Sequence, residues 1–235
     1  MLRQVAQADI LAIGAHSDDV EIGMGGSLAK WTAEGLSVVI CDLTKAELSS
    51  NGTPENRLIE ASRAAQLLNV SKRINLGIGD RNIFIDQNAI EKVVRVIREV
   101  KPKVVFSPYY EDRHPDHISA AKLVKEAVFS ARIRKYDTGQ APHKALHYYY
   151  MINGIHKPDF VIDVSDYQEQ KIQALSAYKS QFTPVDGVVT PLTDQYIETV
   201  IARDQIFGKE VEVKSAEGFK SDKPLLINKD IVGVS

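Results

Sequence analysis

Short apolar runs alternate with helical stripes through the first half of this chain, and that alternation restricts the fold more than any single motif. Residues 10–15, 37–43, 74–76 and 103–107 read as strands. Between them, Met24, Leu28 and Trp31, then Leu58, Ala61, Ala65 and Leu68, then Ile90, Val93, Val94 and Ile97 recur at helical spacing. The first of these helices reads as amphipathic and stops near Gly35. Strands joined by helices of this length need right-handed crossovers, so an α/β fold follows: a Rossmann-like three-layer sandwich with a mostly parallel sheet and helices on both faces. The second half is less regular. It offers strands near 146–151 and 160–164, a helix capped by Ser165 or Asp166 with the stripe Ile172, Leu175, Tyr178, and a last helix over 194–207 that ends before Gly208. The polar tail beyond it takes no assignment.

The 235 residues contain no Pro/Gly/Ser-rich linker or charge block, which makes a single domain over 1–235 the expectation. A formal net charge of −2, without a basic stripe carrying aromatics, argues against nucleic acid and for a small-molecule partner. Cys41, the only cysteine, sits in an apolar run and reads as a buried thiol, which fits a cytoplasmic protein. The start of the chain has no signal-peptide pattern, and no apolar run approaches the roughly 18 to 20 residues that cross a bilayer, so no membrane partner is expected.

Chemistry in parallel sheets gathers beyond the carboxyl ends of the strands. The first strand stops on His16-Ser17-Asp18-Asp19, and the fourth leads to Asp112-Arg113-His114-Pro115-Asp116-His117. A catalytic zinc takes three protein ligands and leaves one position open. His16, Asp19 and one or both of His114 and His117 are the candidates. Pro115 suits the first position of a helix, where His114 and His117 share a face. Adjacent Asp18 and Asp19 diverge on a turn, so one can bind metal while the other works on a water. Taken singly, the first cluster could be a helix cap and Asp116 a dipole-favoured residue of a first turn. Occurrence of both clusters at strand ends favours a metal site. Gly23, Gly25 and Gly26 do not make a dinucleotide turn, because Leu28 occupies the place of the third glycine and the acidic cluster precedes them. No G-x-S-x-G elbow supports a serine hydrolase.

These residues resemble a known family. Ala15-His16-Ser17-Asp18-Asp19-Val20-Glu21 is similar to the A-H-P-D-D-x-E signature of the zinc-dependent N-acetylglucosaminyl deacetylases of the LmbE-like or PIG-L family, and His114-Pro115-Asp116-His117 is similar to its second motif. Cys41–Thr44, Glu47–Thr53, Arg57, Tyr148–Gly154, Tyr178–Phe182 and Ala216-Glu217-Gly218-Phe219 resemble the branch that serves bacillithiol biosynthesis. The resemblance implies zinc on His16, Asp19 and His117, with Asp18 as general base. It implies that His114 stabilises or protonates the reacting centre and is oriented by Asp116. The implied substrate is N-acetylglucosaminyl malate, with Arg57 and Arg113 near its carboxylates and Tyr196 a loose counterpart of an oxyanion-side tyrosine. A homo-oligomer, a hexamer in that branch, is also implied. Ser17 departs from the usual proline and leaves the turn freer unless its hydroxyl bonds an amide. Thr44-Lys45-Ala46-Glu47 departs from the wider family's Arg-Gly-Glu.

The expected reaction is hydrolysis of an acetamide on a glucosamine ring. Asp18 takes the water's proton, zinc and protonated His114 stabilise the oxyanion, and Asp18 or His114 supplies the acid for the departing amine. A chitooligosaccharide or another N-acetylglucosamine conjugate is the alternative substrate. Two His and one carboxylate also suit iron(II), which is the alternative metal and admits an oxygenase; a phosphoesterase or a sugar-binding module without turnover are the other rivals.

Overall fold

The computed structural model describes residues 7–184 and 189–226. The first half follows the alternation: β1 (Ile10–Gly14), α1 (Asp19–Ala33), β2 (Val38–Asp42), α2 (Pro54–Leu67), β3 (Lys72–Asn75), α3 (Gln87–Val100), β4 (Val104–Pro108) and α4 (Pro115–Ala131). The remainder comprises β5 (Leu146–Tyr150), β6 (Phe160–Asp163), α5 (Gln168–Ser176), the single turn α6 (Lys179–Phe182), α7 (Tyr196–Glu210) and β7 (Ala216–Lys220).

The seven strands form one sheet in the order β3-β2-β1-β4-β5-β7-β6. All neighbours from β3 to β5 pair in parallel, and β7 runs antiparallel to both β5 and β6. The order reverses between β1 and β4, which leaves a crevice where their carboxyl ends diverge. Both motifs of the sequence sit at that crevice.

Alternation along each strand feeds two cores. Leu11, Ile13, Val39, Cys41 and Val105 pack against Val93, Val94 and Ile97 of α3 and Leu123 and Val124 of α4. Ile10, Ala12, Val38, Ile40 and Phe106 pack on the other face against Met24 and Leu28 of α1, Ala61 and Ala64 of α2 and Leu175 of α5. Helices therefore cover both faces, as the α/β sandwich requires. Among the described residues no helix is long and apolar enough to cross a membrane.

Several local expectations change. α1 is not amphipathic over its first part: it is buried from Asp19 to Ala29 because α5 and β7 close over it. Leu58 is 40% exposed, and Arg57 turns inward in its place. Lys171, rather than Ile172, joins the buried stripe of α5, and the cap of that helix is Tyr167, without a side-chain hydrogen bond. α7 continues through Gly208 to Glu210, because a Cβ at residue 208 would lie 2.8 Å from the Ser215 backbone: the glycine admits a close chain crossing and does not end the helix. The tail contributes β7, a strand inside the sheet; its last residues, 227–235, lie outside the described part.

Candidate active site

His16 leaves β1 in a turn that Asp18 closes as the N-cap of α1. The His16 backbone N–H donates to Asp19 Oδ2 at 2.8 Å, fixing the Asp19 carboxylate beside the imidazole. Asp19 Oδ2 lies 3.6 Å from His16 Nδ1, and Asp19 Oδ1 lies 3.1 Å from His117 Nε2. His114 caps α4 and Pro115 opens it, so His117 turns toward the same point one helical turn later. One nitrogen from each of His16, His114 and His117 falls within 4.8 Å of the others.

The donor set fits a divalent metal. Ligand atoms on a tetrahedral zinc stand about 3.3 Å apart, and the two carboxylate–imidazole distances above bracket that value. The outer nitrogens agree. His16 Nε2 meets Asp80 Oδ1 and Asp116 Oδ2, each at 3.4 Å, and His117 Nδ1 meets Asp112 Oδ1 at 3.0 Å. A carboxylate behind each imidazole fixes ring orientation and tautomer and leaves the inner nitrogen to bind. His16, Asp80 and Asp116 also form a second three-ligand group, but they share the outer nitrogen of His16.

Asp18 diverges from Asp19 toward the Arg57 guanidinium, 3.3 Å away at Nη1. Burial drives the Asp18 carboxyl up to about 6 even though Arg57 opposes it. Burial acts on Asp19 as well, yet His117 and His16 hold that carboxyl well below the usual range. The adjacent carboxylates are thus made unlike by their neighbours. Arg57 itself is 2% exposed and also donates to Ser49 Oγ at 3.0 Å and to Gln181 Oε1. Arg113, in contrast, is exposed at the rim of the cleft.

Asp116 is placed otherwise than the resemblance implies. Its carboxylate accepts from the backbone N–H and Nη1 of Arg81, at 2.9 and 2.8 Å, and faces His16, not the His114 ring. Only its backbone N–H reaches His114, donating to Nδ1 at 3.2 Å. That bond makes His114 Nδ1 an acceptor, so the ring carries its proton on Nε2 as a neutral imidazole. Burial and the neighbouring His117 and His16 push the same way, lowering its pKa. A protonated His114 in the resting site is not what this geometry favours.

The cleft holds about 560 Å³, within the range of small-ligand sites. Its walls come from the long loop after β2, with Ala46, Leu48 and Asn51, from Asp80 and Arg81, and from Asn153, Gln181, Leu192 and Tyr196. Asp80 ties that loop down by accepting from the Leu48 N–H at 2.9 Å. Tyr196 Oη donates to Asn153 Oδ1 at 3.1 Å, and Asn153 Nδ2 donates to Asp112 Oδ1 at 2.9 Å. Sequence reasoning gave no role to Asp80, Asp112, Asn153 or Gln181. Asp112 stood inside the second motif, and Asp80 follows a glycine beyond a strand end; Asn153 and Gln181 fell inside segments of the resemblance, which gave them no individual role.

Ser17 is 1% exposed and its hydroxyl has no hydrogen-bond partner among the described residues, so no amide bond replaces the stiffness of a proline there. The glycines of α1 serve packing: a Cβ at Gly23 would stand 2.1 Å from the Tyr150 ring, and one at Gly26 2.9 Å from Val164.

Residues 11–128 match the family model PIG-L, GlcNAc-PI de-N-acetylase. The diacetylchitobiose deacetylase of Thermococcus kodakarensis is 34% identical over 229 residues, covering 90% of this chain and 82% of that protein. A deacetylase of Geodermatophilus obscurus named for 1D-myo-inositol 2-acetamido-2-deoxy-alpha-D-glucopyranoside is 29% identical, over 76% of this chain and 70% of its own. Among solved structures, the conserved protein TT1542 of Thermus thermophilus superposes with a TM-score of 0.88 at 36% identity, covering 95% of this chain and 98% of that one. The match spans both motifs and the strands that present them, and the chain belongs to the PIG-L family of GlcNAc-PI de-N-acetylases.

Proposed function

We propose that this protein is a metal-dependent deacetylase acting on an N-acetylglucosamine conjugate, with a chitooligosaccharide of the diacetylchitobiose type as substrate. The observation that carries the reaction is the placement of a buried carboxylate, Asp18, beside a three-ligand donor set that it does not join. His16, Asp19 and His117 would hold the metal, zinc or alternatively iron(II), which supplies Lewis-acid polarisation of the acetyl carbonyl and acidification of the attacking water. Asp18, whose carboxylate accepts from Arg57, takes the proton of that water. His114 donates a hydrogen bond from Nε2–H, without losing the proton, to the oxygen on which negative charge grows, a task a neutral imidazole performs. Asp18 then returns its proton to the amine as the carbon–nitrogen bond breaks. Asp116 acts behind His16, with Asp80, and Tyr196 shapes the sugar side of the cleft through Asn153.

The choice of substrate rests on the diacetylchitobiose deacetylase relative, which is similar along nearly the whole chain. The malate conjugate is the second reading. It needs cationic forks for two carboxylates, and Arg57 is already engaged by Asp18, Ser49 and Gln181, which leaves Arg113 at the rim. Acetate release from N,N′-diacetylchitobiose, N-acetylglucosaminyl malate and free N-acetylglucosamine, each with and without chelator, decides between them. The expected result is chelator-sensitive release with kcat/KM about tenfold or more higher for the chitobiose than for the malate conjugate. The reverse ratio would return the aglycone to malate, and release from none of the three would remove the deacetylase reading.

A further inference from the structure

Two features of the sequence remain without a task in this reaction: the Gly-Met-Gly-Gly run of α1 and the Ala216-Glu217-Gly218-Phe219 segment. They meet in the core. α1 is broken at Met24, whose backbone (φ −151°, ψ 23°) is not helical. In an unbroken helix the Gly26 and Ser27 N–H groups would be given to the carbonyls of Ile22 and Gly23. Here they are given to a side chain of β7: Gly26 N donates to Glu217 Oε1 at 2.9 Å and Ser27 N to Glu217 Oε2 at 2.7 Å. The Ile22 carbonyl instead accepts from Arg203 Nη2 of α7 at 2.8 Å, while Arg203 Nη1 binds the Met151 and Ile152 carbonyls.

The two capping groups are charged and buried, and a second pair balances them. Lys171 Nζ lies 2.7 Å from Glu217 Oε1 and 2.5 Å from Asp204 Oδ2, and Asp204 Oδ1 lies 3.4 Å from Arg203 Nη2. Lys171, Asp204 and Glu217 are all 0% exposed. Two cations and two anions thus close a neutral circuit around the break. A helix end exposes unpaired amides and carbonyls that must find partners when buried. Glu217 supplies them for the second segment of α1 and Arg203 for the first. The first segment is one turn long and begins at Asp18 and Asp19, with Ile22 on the cleft wall.

We propose that Glu217 and Arg203 are positioning residues: they hold α1 broken at Met24 and so aim the turn that carries Asp18 and Asp19, while Lys171 and Asp204 only neutralise them. The proposal rests on the deacetylase reading for its kinetic consequence but not for its structural one. Its test uses the full-length protein with cobalt(II) in the metal site, whose visible absorption reports ligand geometry without any substrate, beside kcat, KM and thermal midpoint. In Glu217→Asp and Arg203→Lys, which keep the charge but shorten the reach or remove one arm, the cobalt spectrum should change. Their kcat should fall about tenfold or more with KM little altered, because a misaimed base costs rate more than binding. Asp204→Asn touches no α1 backbone atom. It should lower the thermal midpoint and leave spectrum and kcat as they were. Folded, cobalt-loaded Glu217→Asp and Arg203→Lys proteins with the wild-type spectrum would overturn the proposal. So would an Asp204→Asn protein whose spectrum moves as far as theirs. Failure of the deacetylase reading would show differently, as a wild-type protein that binds cobalt and releases no acetate.

Discussion

The two halves of the molecule divide the labour unequally. From β1 to α4, strand ends present His16, Asp18, Asp19, His114 and His117, and each lies within about ten residues of the strand that delivers it. From β5 to β7 the chain contributes no candidate metal ligand among the described residues; it supplies the wall residues Asn153, Gln181 and Tyr196 and the buried charges under α1. The difference is one of range. Chemistry in the first half rests on local turns and caps, whereas support from the second half rests on pairs such as Glu217 with Gly26, 191 residues apart.

The largest effects follow from the first half. Asp18→Asn should lower kcat by about 10³-fold, within the usual range for a general base, with bound metal unchanged by elemental analysis. Wild-type turnover in that variant would break the assignment. Asp112→Asn removes the carboxylate behind His117 and should weaken metal affinity about 10- to 100-fold in a competitive chelator titration. Gly23→Ala probes the join between the halves. Its Cβ must displace the Tyr150 ring, so urea unfolding should show a loss of about 1–3 kcal/mol, and a neutral outcome would mean that α1 sits less tightly on β5.

Smaller effects sharpen the second half. Burial pulls the His147 imidazole of β5 down to about 4, from about 6.5 in an unfolded chain. Between those values the unfolded chain binds a proton that the folded one refuses, so this contribution is complete above pH 6.5 and lost as pH falls toward 4. In His147→Phe the urea midpoint should decline less steeply over that window than in the wild type. An unchanged slope would mean that other groups set the acid sensitivity. Last, Ser17→Ala removes a buried hydroxyl without a partner among the described residues and should leave stability equal or slightly higher, by up to about 1 kcal/mol, with kcat retained. A clear loss would show that the hydroxyl has a partner.

Legibility in the sequence follows the same division. Alternation of apolar runs and helical stripes located β1 to β4, Pro115 marked the start of α4, and both motifs fell at one crevice, because parallel strands and their crossovers are coded within tens of residues. β7 escaped because Ala-Glu-Gly-Phe-Lys does not read as an interior strand: Glu217 is neutral to folding only once Lys171 lies against it, 46 positions away. Gly208 misled for a related reason, since its small size answers to Ser215 and not to a helix terminus. Arg57, expected beside the substrate from the resemblance, does line the cleft, but its contacts with Ser49 and Gln181 come from distant segments that no local pattern marks. The resemblance implies that Asp116 orients His114, whereas its carboxylate serves Arg81 and His16 from other strand ends.

Stoichiometric metal titration of the stripped protein, followed by acetate release from N,N′-diacetylchitobiose, tests the central claim most directly. Activity should be absent without metal, rise in proportion to added zinc and level off at one equivalent, and the same titration of Asp18→Asn should bind one zinc and release almost no acetate. Acetate release by the metal-free protein, or equal release by Asp18→Asn at one bound zinc, would contradict the account.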